Sequence, residues 1–384
     1  MNNSIYDLIV IGGGISSCTL ISNILKKGYK GKIAIVEYGR SLGGRCSSRI
    51  SKKNKGWILN HGSPHFNINN NSKNPNLNNF IEELLENNFI KKDDSLLIQL
   101  DENLNYSKNI SSEFSKGNIY SSTSSMSNLA SMILNLNNKN NQIDFYFQKL
   151  IINLFFDNNN WVLKSNEGNI FHSKFLIISS NLLLHERSKR ILNVDEIPLA
   201  KAIKNNINID EIITKLNSQD YIRRINYLIY PKTEYQLKKT INNDYLIYFL
   251  DKKAELRYEF ERIIFQRQKN GRYGIILHSI INNNLIKGFE KDNSDKLNHQ
   301  LLDKFNAVFD HNPLINKLKD YEDISIMKWR ASQPTGMGVP VKLQICDEYK
   351  IAFCGDWFDN EGFGRVEGAI LSALKLSDQV IDFI

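Results

Sequence analysis

Apolar positions come first as an unbroken run, Leu8-Ile9-Val10-Ile11, then at helical spacing, Ile15, Cys18, Ile21 and Leu25, then as a second run, Ile33-Ala34-Ile35-Val36. Short continuous runs suit strands buried on both faces of a parallel sheet, and the three-to-four spacing suits a helix with one buried side. The chain therefore opens as strand, turn, helix, strand. Gly12 to Gly14 break the first strand, Gly28 closes a helix over 15–27, and Glu37 ends the second strand.

The pattern weakens after this start. The Asn/Ser/Lys-rich stretch from Asn67 to Asn79 reads as an exposed insertion, and a helix is expected around Phe80 to Phe89. Residues 143–180 read as several short strands with turns at Asp157-Asn158-Asn159-Asn160 and Asn166-Glu167-Gly168. The last of them, Phe175-Leu176-Ile177-Ile178, is expected to return to the first sheet. Residues 183–329 hold no motif and supply a separate, substrate-side layer. At the far end, 350–353 reads as a strand ended by Gly355-Asp356, and 368–383 as a helix with Ala369, Leu371, Leu374, Leu376 and Val380 apolar.

Length and charge narrow the class. With 384 residues, 41% hydrophobic and 23% charged, the chain has ordinary globular composition and enough length for two domains. The net charge of +8 does not point to nucleic acid. Lysine is interspersed with Asn and Ile, which share A/T-rich codons, no run of five basic residues occurs, and no basic stripe forms. Cys18, Cys46, Cys346 and Cys354 form no C-x-x-C pair and no zinc-like spacing, so no metal is expected and the set reads as reduced. No apolar stretch approaches the roughly 18 residues of a membrane span. Nor does a leader pattern precede Asp7, so a cytoplasmic protein is expected.

The chemistry lies in five segments. Gly12-Gly13-Gly14-Ile15-Ser16-Ser17 fits a G-x-G-x-x-small turn between strand and helix, although Ser17 replaces the usual Gly or Ala. Gly12 permits the turn and Gly14 a close approach of backbone to a pyrophosphate. The N–H groups at Ile15 and Ser16, at the helix start, attract its charge. Glu37, twenty residues after Ser17, suits a ribose diol and would repel a 2′-phosphate. Gly43-Gly44-Arg45 adds a second glycine pair and a forked donor, which a plain nicotinamide dehydrogenase does not need. Asn60-His61-Gly62-Ser63-Pro64-His65-Phe66 is the fourth segment. Cys354-Gly355-Asp356 with Gly364-Arg365-Val366-Glu367-Gly368-Ala369 is the fifth.

From the Gly-Gly-Arg element onward the chain resembles the flavin-containing amine oxidase superfamily, and Lys328-Trp329-Arg330-Ala331-Ser332-Gln333 is most similar to its renalase-type members. The likeness covers about 5–66 and 326–384. It implies FAD, with Gly12, Gly14, Ile15, Ser16, Glu37, Gly43, Gly44, Arg45, His61, Gly62, Ser63, Gly355, Asp356, Glu367, Gly368 and Ala369 as its contacts. The segment at 60–66 would lie along the flavin ring, Asp356 would hold the ribityl or phosphate portion, and the helix start at 367–369 would face the pyrimidine end. Asn60 and Pro64 depart from the acidic and glutamine residues of the family's ring-side segment. His61, His65, Trp329 and Arg330 are the substrate-side candidates. His172, His185, His278, His299 and His311 are isolated and receive no chemistry. Cys46 and Cys354 read as packed small residues, with covalent flavin attachment at Cys354 a lesser alternative.

The expected fold is α/β: a discontinuous Rossmann-like FAD-binding domain over 1–66, 120–182 and 326–384, and a second, mixed α+β substrate domain over 67–119 and 183–325. The expected reaction is hydride transfer from a small organic reductant, for example one of the dihydronicotinamide type, to flavin N5, with reoxidation by oxygen. An amine oxidase, an apolar-substrate desaturase or isomerase of the carotenoid kind, and a non-catalytic flavin-binding module are the alternatives. The expected partner is a small molecule, with neither nucleic acid nor a membrane span.

Overall fold

The computed structural model describes residues 5–53, 56–69, 74–138, 142–232, 235–239, 241–280 and 294–384. Its first sheet is built around β1 (Ile5–Ile11), which pairs in parallel with β2 (Ile33–Val36) on one side and with the strand Ile170–Ile178 on the other. The strand Ile143–Tyr146 extends the sheet in parallel beyond β2. On its far side Ile170–Ile178 pairs twice, antiparallel with Asn160–Ser165 and parallel with Ile351–Phe353. The unbroken apolar run of β1 follows from this position. Leu8 and Val10 pack into one core with Cys18 and Ile21 of α1 (Ile15–Lys26), whereas Ile9 and Ile11 pack into another with Leu199, Ile209, Ile212 and Leu216. Alternate side chains point to opposite faces, and both faces are covered.

The C-terminal helix Val366–Val380 lies beside α1, with Asn23 Nδ2 donating to Ser377 Oγ at 2.5 Å. Both helices leave the carboxyl edge of the parallel strands, where ligands of open α/β sheets bind. The two ends of the chain thus meet along one crevice.

The second sheet runs in the order Tyr321–Thr335, Asp220–Pro231, Tyr273–Ile280, Arg262–Arg267, Tyr245–Leu250, Leu96–Leu100, Tyr106–Ser107. One face carries Ile225, Tyr227, Ile263, Phe265, Ile275 and Leu277 against Phe305, Val308 and Phe309. The other carries Leu228, Tyr230, Ile264 and Ile276 against Trp57 and Leu59, which belong to the segment leading to His61. That face looks toward the crevice.

The α/β architecture and the returning strand agree with the sequence reading, but the cores divide the chain at other positions. Leu77, Phe80, Ile81 and Leu84 of the helix Pro75–Glu86 join the first core, so residues 75–79 are the start of a packed helix, exposed at every position but Leu77, rather than an insertion. Asn74 caps that helix by accepting the Leu77 N–H, and Pro75 stands in its first turn, which starts it earlier than expected. Residues 70–73 lie outside the described residues. The helices Pro198–Ala202 and Ile207–Asn217 cover the first sheet rather than forming part of a substrate layer. Conversely, the strand Tyr321–Thr335 belongs to the second sheet, so Trp329 reaches the crevice from there and meets His61. Among the described residues no helix is long and apolar enough to cross a membrane.

Candidate cofactor and substrate site

At the end of β1 the chain turns through Gly12, whose φ of +102° lies in the region that favours glycine. Its N–H donates to Val36 O at 2.9 Å, tying the turn to the end of β2. Gly14 precedes α1 without any side-chain cap, which leaves the first amides of that helix free of a side-chain acceptor. Glu37 folds back onto the turn, its Oε2 accepting the Gly13 N–H at 2.6 Å and its Oε1 accepting the Gly39 N–H. The carboxylate therefore shapes the glycine loop besides presenting charge at the strand end. Ser17, where a smaller residue is usual, is fully buried and donates from Oγ to Gly12 O at 2.5 Å. Its hydroxyl is spent inside the turn.

Gly43 enters next to this turn, donating to Gly13 O at 2.8 Å and forming an isolated parallel bridge with Gly14. Gly44 stacks on the same residue, so that a Cβ there would lie 3.3 Å from Gly14 Cα. Arg45 then crosses to the other end of the chain, giving Asp356 two hydrogen bonds of 2.7 and 2.6 Å and Ser332 O a third at 3.2 Å. Asp356 is 5% exposed and Arg45 43%, so the carboxylate is sunk in the protein and the guanidinium is half in the crevice. Gly355 is fixed by its N–H on Ser372 Oγ at 3.0 Å.

The helix Val366–Val380 begins without a side-chain cap. Glu367 is fully buried and holds Asn69 N–H at 2.8 Å and Arg365 at 2.9 Å. Its side chain is therefore a clamp for neighbouring loops. Gly368 donates to Gly362 O at 3.2 Å and Ala369 to Arg365 O at 3.1 Å.

The segment 60–66 is pressed against this junction. Gly62 donates to Ser47 O at 3.2 Å and Ser63 to Arg45 O at 3.1 Å, and a Cβ on Gly62 would sit 1.9 Å from Arg45 O. Only glycine fits there. Asn60 is a knot between elements: its amide donates to Tyr245 Oη at 2.7 Å, and its Oδ1 accepts from Ser48 Oγ at 2.6 Å and from Met126 N–H at 3.2 Å. That structural duty accounts for an amide at this position. The His61 ring lies 5.7 Å from Trp329, tilted by 31°, while its carbonyl accepts from Asn226 Nδ2. Burial and the Arg49 charge push His61 down to about 4, and burial and the Arg262 charge push His65 down to about 3. Both rings are neutral at pH 7. Arg330, by contrast, is exposed.

Sequence reasoning passed over a polar row on the crevice face of the second sheet. Met327, Asn226, His278 and Arg262 are direct cross-strand neighbours in that order. Beside them Arg224 grips Glu261 at 2.5 and 2.7 Å and Ser332 Oγ at 2.6 Å, so Ser332 joins this pair to Arg45. Burial works against it, but the Arg262 and Arg224 charges hold Glu261 down to about 2. The signal for this row was the alternation along 273–280, which puts Gly274, Ile276 and His278 on one face. His278 read alone gave no such hint.

Several buried atoms here have no hydrogen-bond partner: His61 Nδ1, Asn226 Oδ1, Arg262 Nε, both ring nitrogens of His278, and Trp329 Nε1. Native interiors pair such groups, so a bound ligand or ordered water is required along this wall. All four cysteines are buried and free. Burial pushes the Cys46 and Cys354 thiols up to about 12, which leaves them protonated and unreactive at pH 7.

Residues 10–84 match the family described as the NAD(P)-binding Rossmann-like domain. No curated protein matches the chain. A protein assigned as a protoporphyrinogen oxidase from Exiguobacterium sp. 255-15 superposes with a TM-score of 0.63 at 11% identity, over 97% of this chain and 98% of its own. A fatty acid isomerase from P. acnes that produces CLA superposes with a TM-score of 0.62 at 11% identity, over 99% of each chain. At this identity the likeness is one of fold. The chain thus carries an NAD(P)-binding Rossmann-like domain within a fold that both of these proteins share along nearly their whole length.

Proposed function

We propose that this chain is an FAD-dependent oxidoreductase that takes hydride from a reduced carbon of a small organic molecule, with oxygen as the final acceptor. The observation that carries the reading is the Arg45–Asp356 pair, which draws the second glycine pair and the C-terminal helix start to the same crevice as the dinucleotide turn. A nicotinamide site needs only the turn and Glu37.

The residues present suit FAD. The uncapped start of α1 would meet the pyrophosphate, and Glu37 would accept from the ribose diol. Asp356, aimed by Arg45, would hold the ribityl or phosphate portion. The uncapped start of Val366–Val380 would oppose negative charge at the pyrimidine edge. When bound, FAD would supply the hydride acceptor. Trp329 and His61 would form an aromatic side wall for the substrate, and the polar row Asn226, His278, Arg262 would orient it. Because His61 and His65 are neutral and buried, they shape and dry the site, and the scheme requires no protein acid or base.

The two arginines against one glutamate make this wall positive, which weighs against a cationic amine. A polar wall of this kind also weighs against an apolar desaturase or isomerase tunnel. Of the reductants considered, a dihydronicotinamide-type molecule fits best. The test is direct: the purified protein should be yellow and release FAD on denaturation, and the flavin should bleach anaerobically with reduced nicotinamides faster than with mono- or polyamines. Release of FMN alone, or of a nicotinamide alone, overturns the cofactor. Bleaching by amines only overturns the substrate class.

A further inference from the structure

Arg262 stands on the crevice face of the second sheet, 6% exposed, with the Phe114 ring 4.2 Å beneath its guanidinium. Its Nε is buried without a hydrogen-bond partner. Its nearest carboxylate atom, Glu261 Oε2, is 4.0 Å away and already receives the Arg224 Nε at 2.5 Å. One glutamate thus serves two arginines, and the well-formed bonds go to Arg224. Burial pushes Arg262 down to about 10, which still leaves it cationic at neutral pH. His278, between Asn226 and Arg262, is held neutral by its own burial and by the Arg262 charge. It offers a ring that can donate or accept but no charge. A buried guanidinium without a bonded anion is costly, and its planar fork matches a carboxylate.

We propose that Arg262 is the seat for a carboxylate of the molecule oxidised in this crevice, with His278 as the neighbouring neutral hydrogen-bonding group. This rests on the reading of the site as an oxidoreductase and refines its reductant, replacing the carboxamide of a dihydronicotinamide with a carboxylate on a ring of the same type. A single negative charge balances the wall, whereas the two charges of a phosphate monoester would leave one unpaired beside Phe114 and Phe249, whose rings lie 4.2 and 6.0 Å from the guanidinium. Asn226, bonded to the ring-side segment, lies two strands from Arg262, about 10 Å at normal strand spacing. The substrate would therefore span a short distance between its reacting carbon and its carboxylate.

Calorimetric titration of the purified holoprotein with benzoate, benzamide and phenyl phosphate tests this. Benzoate should bind at least tenfold more tightly than benzamide and more tightly than phenyl phosphate. Arg262→Met should abolish that preference while keeping the flavin, because the substitution removes a buried charge whose one nearby carboxylate is already hydrogen-bonded to Arg224. Should Arg262→Met fail to fold, Arg262→Lys decides, and its loss of the fork should weaken benzoate several-fold. Equal binding of benzoate and benzamide, a preference for phenyl phosphate, or unchanged benzoate affinity in the variants overturns the proposal. The heat of binding is read without reference to the flavin. A protein that lacks FAD yet prefers benzoate sinks the oxidoreductase reading and leaves the carboxylate seat. One that holds FAD without the preference does the reverse.

Discussion

The Arg45 guanidinium and the Asp356 carboxylate, 311 residues apart in sequence, meet in two parallel hydrogen bonds of 2.7 and 2.6 Å. This contact closes the crevice between the dinucleotide turn and the C-terminal helix. Asp356→Asn keeps the shape but removes the charge, leaving the Arg45 guanidinium half exposed and free to rehydrate. The stability loss should stay near 1–2 kcal/mol, while flavin retention falls by tenfold or more. Thermal unfolding and flavin absorbance after dialysis measure the two separately. Unchanged retention would mean that the pair does not serve the cofactor.

Glu37 holds the Gly13 and Gly39 amides and, in the proposed FAD site, would also accept from the ribose diol. Glu37→Ala should weaken FAD by one to two decades, from a charge-assisted bond of about 1.5–3 kcal/mol. Glu37→Gln, which keeps an acceptor for the loop, should fall between that variant and the natural protein. Titration of the apoprotein with FAD decides, and equal affinity in all three forms rules out the ribose role.

Gly62 has no room for a Cβ beside Arg45 O. Gly62→Ala must push the ring-side segment off its neighbour, so we expect a loss of about 2 kcal/mol or more together with reduced flavin content. A urea transition superimposable on that of the natural protein would show that the approach is looser than described.

His61 and His65, at about 4 and about 3 against an ordinary 6.5, bind protons more readily unfolded than folded. Stability should therefore be complete above pH 6.5 and decline as pH falls toward 4, by roughly 2 kcal/mol per histidine between pH 7 and 5. Glu261, held at about 2 against 4.5, adds a loss of the same sign below pH 4.5. Urea midpoints at the two pH values measure this. The double variant His61→Asn, His65→Asn should make the profile shallower, with the half-buried His185 and the buried His278 keeping part of the acid loss, and an equally steep profile in that variant assigns the whole loss elsewhere.

The α/β class, the dinucleotide turn and the first two strands could be read from the chain because they depend on neighbours. An apolar run, a glycine break and a helical stripe lie within 5–37, and the physics that makes them is local. The second glycine pair and the C-terminal Gly355-Asp356 element were likewise visible as short motifs, since backbone approach and helix starts demand particular residues. That Arg45 and Asp356 bond to each other was not visible, because their meeting depends on how the two ends pack. The helix Pro75–Glu86 was placed too late because asparagine-rich composition hid its cap and first turn. The crevice wall of Asn226, His278 and Arg262 escaped altogether. Each residue sits alone on its own strand, and only cross-strand pairing, fixed by which face of the second sheet buries its apolar side chains, sets them side by side.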